Sequence, residues 1–169
     1  NYSGPIRNAG GTAAAVSVII GDYIRTLFGY SEYDPTEKEI KRAFVELMDY
    51  HEYITNLQYV PSELEVTFLL SHIPVEVSGD PSENYEISNV TLKDLPRVPT
   101  NKLRSGYCLI HSSCIPLKAP KLWKQLSIWG NDFHLGHWSF LKEFIDIQKK
   151  SKSKGKTNSI AKLVPDFTY

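Results

Sequence analysis

Cysteine is scarce in this chain: Cys108 and Cys114 are the only two in 169 residues. That is too few for a disulfide framework at this length and points to a reducing compartment. Long apolar runs are missing as well. The richest, Ala13 to Ile20, is closed by Gly21, Asp22 and Arg25 well short of the roughly 18 to 20 residues that span a bilayer, so no membrane segment is expected. The chain opens on Asn1 without a basic-then-apolar leader, and an apolar segment, Ile160 to Phe167, runs almost to its last residue. Both ends read as cut from something longer. Catalytic signatures are equally thin. There is no Asp-x-Asp pair for two-metal phosphoryl transfer, no Lys-Ser/Thr behind a glycine loop, and no nucleophile elbow. Glu46 with Asp49, and Glu143 with Asp146, share helix faces, a spacing typical of solvated surface. No catalytic residue, bound metal or cofactor is therefore expected within this segment.

What is present suffices for a core. Apolar residues make up 41% of a 19.2 kDa chain and aromatics 12%, enough to fill one domain. The formal net charge of zero hides a segregation. Residues 1–92 hold 5 Lys+Arg against 14 Asp+Glu, and residues 93–169 hold 14 against 5. An acidic half is joined to a basic half, which suits an anionic partner for the second.

Periodicity predicts the elements. Val16, Ile19, Ile20, Tyr23 and Leu27 recur at helical steps over Thr12 to Phe28, with Gly29 placed as a C-cap. Asp34, Pro35 and Glu37 read as N-cap, first helical position and capping-box partner of a helix running to about Ile54. Ser62 and Glu65 form a second capping box for a helix that stops before Pro74. From Val75 the pattern turns to alternation with a Gly79-Asp80-Pro81 turn, and Tyr107 to Ile110 reads as a strand. Short helices follow from Pro120 to Leu126 and from Trp138 to Ile147. The expected class is α+β, a helix-rich first half followed by a small sheet with short helices. Domain 1–148 precedes a flexible lysine-rich linker at 149–158, and 159–169 starts the next segment.

Two clusters suit phosphate. Arg7, Gly10 and Gly11 stand immediately before the first helix, where free amides and a guanidinium favour an anion, although glycines there also serve a plain sharp turn. Arg97, Asn101, Lys102 and Arg104 lie on a proline-stiffened approach, and Lys118 and Lys121 flank Pro120, a helix start that the dipole would otherwise disfavour for cations. Cys108, His111 and Cys114, with His134 and His137, invite a zinc reading. Strand geometry would point Cys108 and His111 to opposite faces, which weighs against it.

Four blocks in order, GPIRNAGGTAAA at Gly4 to Ala15, NLQYVPSELEV at Asn56 to Val66, LPRVPTNKLRSGYCL at Leu95 to Leu109 and LKAPK at Leu117 to Lys121, make the chain resemble the N-terminal part of the large subunit of the archaeal family D DNA polymerase. The resemblance weakens from Trp123 to Lys162. It implies that catalytic aspartates, in an Asn-Ala-Asp-Phe-Asp-Gly-Asp motif absent here, lie further along the parent chain with a divalent metal such as Mg. It also implies DNA, a small exonuclease subunit and a sliding clamp as partners, and a cytoplasmic location. The leading expectation is a non-catalytic polymerase fragment that contacts DNA and scaffolds the subunit. A protein-interaction module whose oppositely charged halves pair between two copies is the alternative, and a zinc enzyme is a third.

Overall fold

The computed structural model describes the backbone of residues 1–4 and 10–163, and side chains up to Ser153. Among the described residues there is no strand: the molecule is built from α1 (Gly11–Phe28), α2 (Glu37–Tyr53), α3 (Glu63–His72), α4 (Ser105–Leu109), α5 (Ile115–Trp129) and α6 (Phe140–Leu163). Short 3-10 turns lie at Val90–Leu92, Gly130–Phe133 and Gly136–Ser139.

The expected small sheet is therefore corrected to a helical fold. The alternating stretch after Val75 does bury Val77 and Ile87, yet it pairs only through isolated bridges, Tyr2 with Ser78 and Glu86 with Lys102. A ladder needs consecutive donors, and Pro74, Pro81, Pro96 and Pro99 cannot supply them. Tyr107 to Ile110 is helical rather than extended. Tyr107, Cys108, Ile110 and His111 are all buried, because α4 is wrapped on all sides, and a short apolar run of that kind reads alike for a buried strand and a buried helix. Gly106 is required here, since a Cβ would lie 1.9 Å from the Ser3 carbonyl oxygen.

α4 continues into α5 through a π turn, Ile110–Cys114, in which the Ile115 amide reaches back to the Ile110 carbonyl. The turn brings Pro116 into the first turn of α5, where no amide donor is needed. Pro120, inside α5, leaves the Pro116 carbonyl without its helical partner. Gln148 of α6 fills that gap, its Nε2 donating to Pro116 O at 2.7 Å. Around this central rod pack α1, α2 and α6, with α3 between α2 and α6. The fully buried Trp138, Phe144, Leu141, Leu47 and Ile115 fill the space between them.

The caps follow the sequence in part. Gly29 ends α1 at φ 70°, and Ser62 with Glu65 forms the complete capping box of α3. The N-cap of α2 is Thr36, two residues beyond the expected Asp34, whose carboxylate and carbonyl are both taken by Arg97. Residues 149–158, expected as a linker, carry helical backbone within α6. α1 is apolar enough over 18 residues to span a membrane by length and composition, which a soluble core helix also achieves. Here its buried Asp22 accepts from Arg25, from Trp138 Nε1 at 2.8 Å and lies 2.5 Å from His137 Nε2.

Candidate nucleic-acid interface

Arg104 begins α4 with its side chain turned inward. Its backbone amide, Nε and Nη2 all donate to Glu46 of α2, at 2.9, 3.0 and 2.8 Å, and its guanidinium stacks 3.9 Å from the Tyr107 ring centroid. Burial opposes the charge on Arg104, but Glu46 outweighs it and holds the pKa above the ordinary value. Arg42 shares the same carboxylate through Nε at 3.2 Å and gives Nη2 to the Thr100 carbonyl. Burial prevails there and lowers the Arg42 pKa against the pull of Glu46. Arg42 Nη1 has no partner among the described residues.

Arg97 is likewise committed. It donates to Glu39 at 2.9 and 3.1 Å and to Asp34 at 2.7 Å. Its hydrogen bond holds the Asp34 carboxyl below the usual range. Burial pushes Glu39 upward, but Arg97 and Tyr33 outweigh it and the carboxyl stays low. Asn101 bridges back to Asp94 through both ends of its amide. Lys102 is exposed beside Asn84. Of the four groups on the proline-stiffened approach, Lys102 alone extends a cation with no carboxylate on it.

The other cluster comes together differently. Gly11 packs against the Ser113 carbonyl and the Lys118 stem, so that a Cβ there would lie 3.3 Å from Lys118 Cε. Gly10 is exposed and caps α1 without a side-chain hydrogen bond, and among the described residues no acceptor sits on the first amides of α1. Lys121, one turn further along α5, lines the same α1–α5 cleft as Thr12 and projects to solvent. Arg7 lies outside the described residues.

Cys108, His111 and Cys114 are all buried along the α4–π-turn rod. Burial raises both thiols, Cys114 to about 11, and lowers His111 to about 4, while His111 Nδ1 sits 2.8 Å from the Tyr107 carbonyl oxygen. No group of three His, Cys, Asp or Glu side chains converges among the described residues. His51 accepts from the Leu57 amide and His72 stacks on Phe68. Sequence reasoning missed the Arg42–Glu46–Arg104 triad. The four-residue spacing of Arg42 and Glu46 was its one legible trace, and that spacing ordinarily marks a helix surface.

A helical unit that pairs Arg42, Arg97 and Arg104 with its own carboxylates and sets Lys118 beside the start of α1 is the class these features define. The chain matches, over residues 1–147, the family described as DNA polymerase II large subunit DP2, N-terminal, and it belongs to that family. It is similar to the DNA polymerase II large subunits of Nanoarchaeum equitans (48% identical over 153 residues), Methanothermobacter thermautotrophicus (43% over 155) and Pyrococcus abyssi (40% over 153). Those alignments cover 90%, 92% and 90% of this chain but only 12%, 14% and 10% of the relatives' own lengths.

Proposed function

We propose that this chain is a non-catalytic part of an archaeal DNA-directed DNA polymerase large subunit, which contacts DNA phosphates through the α1–α5 end and scaffolds the rest of the subunit. The observation that carries the reading is the contact of Gly11, at the start of α1, with the Lys118 stem, with Lys121 one turn further along α5 in the same cleft as Thr12. Helix-start amides suit a phosphate oxygen, and each lysine can neutralise one phosphodiester charge. Lys102 adds a separate cation. Arg97, Asn101 and Arg104 support the contact indirectly by fixing the loop that presents Lys102, and Arg7 belongs with the Gly10–Gly11 group by sequence.

On this reading polymerisation, with a divalent metal such as Mg, belongs to other parts of the subunit. The partners are DNA, a small exonuclease subunit and a sliding clamp, and the setting is cytoplasmic DNA replication. Fluorescence anisotropy with labelled DNA tests the contact. Affinity that falls steeply as salt rises, and is weakened by Lys118→Ala with Lys121→Ala, is the expected result. Salt-independent binding, or binding indifferent to both lysines, refutes it.

A further inference from the structure

We propose that the apolar groove between α1 and α5 receives an amphipathic helix from a later part of the same large subunit. The proposal rests on the scaffolding half of the reading above and is independent of DNA contact. The groove encloses about 460 Å3. Val16, Ile20 and Tyr23 of α1 form one wall, and Leu122, Leu126 and Trp129 of α5 form the other. Both sets recur at three- and four-residue steps, so the walls are two helix ridges with a furrow into which a third helix's side chains fit.

The apolar surface does not stop at the furrow. Ile20 is 52% exposed, and Ile24, Leu27 and Phe28 extend the surface along α1 at 47%, 63% and 69%. An apolar patch of that extent marks a contact site. A nucleic-acid base is a poor occupant, because the walls are almost wholly aliphatic and aromatic carbon, with Thr12, Lys121 and Gln125 the polar side chains among them, and burying its polar edges largely unpaired is costly. A protein helix satisfies its own backbone and brings only side chains.

Two observations select the source and chemistry. The chain corresponds to only 10% to 14% of the length of its relatives, so nearly all the surface that could cover the groove within one subunit lies outside it. The lining side chains of both walls are apolar apart from Thr12 of α1 and Lys121 and Gln125 of α5. The docking helix therefore carries one apolar face, bordered by polar residues on the edge that lies along Lys121 and Gln125 of α5. Lys121 lines the wall with its stem and keeps its ammonium in solvent, so phosphate contact at the mouth is compatible with an occupied furrow.

The test uses the full-length large subunit with a photo-crosslinking benzoylphenylalanine in place of Ile20 or, in a second variant, Gln125, followed by peptide mass spectrometry. Both positions are at the surface, so the fold tolerates the change. The expected product from both is a crosslink within one polypeptide, to a peptide with helical apolar periodicity beyond residue 169, unchanged on dilution and on adding DNA. Crosslinks to a second copy, to another subunit or to DNA, or none beyond a control placed at exposed Glu63, overturn the proposal. DNA affinity measured on the same preparations reports separately on the phosphate contact, so either reading can fail alone.

Discussion

Two guanidiniums, from Arg42 and Arg104, meet the single carboxylate of Glu46, with all three side chains at most 5% exposed. Removing one member of a buried ionic set costs far more than the set contributes, because the remaining charges lose both water and partner. Glu46→Gln keeps the volume and removes the charge. It should lower unfolding stability by about 3–5 kcal/mol, read from the urea midpoint, and a loss under about 1 kcal/mol would show that the guanidiniums find other acceptors. His111 sets a pH dependence. Its pKa is lowered from 6.5 to about 4 by burial, so between those values the unfolded chain binds a proton that the folded chain does not. Its contribution is fully present above pH 6.5 and is lost as pH falls toward 4. Asp34 and Glu39, also lowered, add slope of the same sign at lower pH. The difference between the native chain and His111→Gln isolates the histidine: the native chain should lose more stability from pH 7 to pH 5 than the variant, and equal losses would contradict the assignment.

Helices with local signals were legible from sequence, and those defined by their surroundings were not. α1 and α3 carry a C-cap glycine and a reciprocal capping box, interactions that close within a few residues. α4 carries no side-chain cap and owes its helicity to burial on every side, so its short apolar run looked like a strand. The start of α2 slipped by two residues because Arg97, 63 residues away, claims Asp34. α5 presents the sharpest case: Pro120 signals a helix start, yet it sits mid-helix because Gln148, 32 residues beyond Pro116, replaces the missing donor to the Pro116 carbonyl. That exchange is testable at the level of the helix pair. Gln148→Leu should cost about 1–3 kcal/mol by orphaning the Pro116 carbonyl. In a Pro120→Ala background the backbone amide is restored, so the same substitution should cost distinctly less in thermal or urea unfolding. Equal costs in both backgrounds would dissociate the two residues.

At the scale of the molecule, the segregation of charge along the sequence has two outcomes. Part of it is consumed internally, since Arg97 and Arg104 of the basic half pair with Asp34, Glu39 and Glu46 of the acidic half. They are two of the three arginines that sequence alone offered as phosphate ligands, Arg7 lying outside the described residues, and linear charge counts cannot distinguish an outward cation from one that closes the fold. Among the described residues the lysines that pair with a carboxylate are Lys41 and Lys93. Lys102, Lys118 and Lys121 stand outside those pairs and define the surface proposed for DNA. The most direct test is the salt slope of DNA affinity, measured by anisotropy for the native chain and for a triple variant with Lys102, Lys118 and Lys121 each changed to Ala. Every phosphate that the variant no longer neutralises should reduce the slope of log affinity against log salt by about 0.9, so the variant should be shallower by roughly two to three. Superimposable slopes for the two proteins would contradict phosphate binding by these lysines.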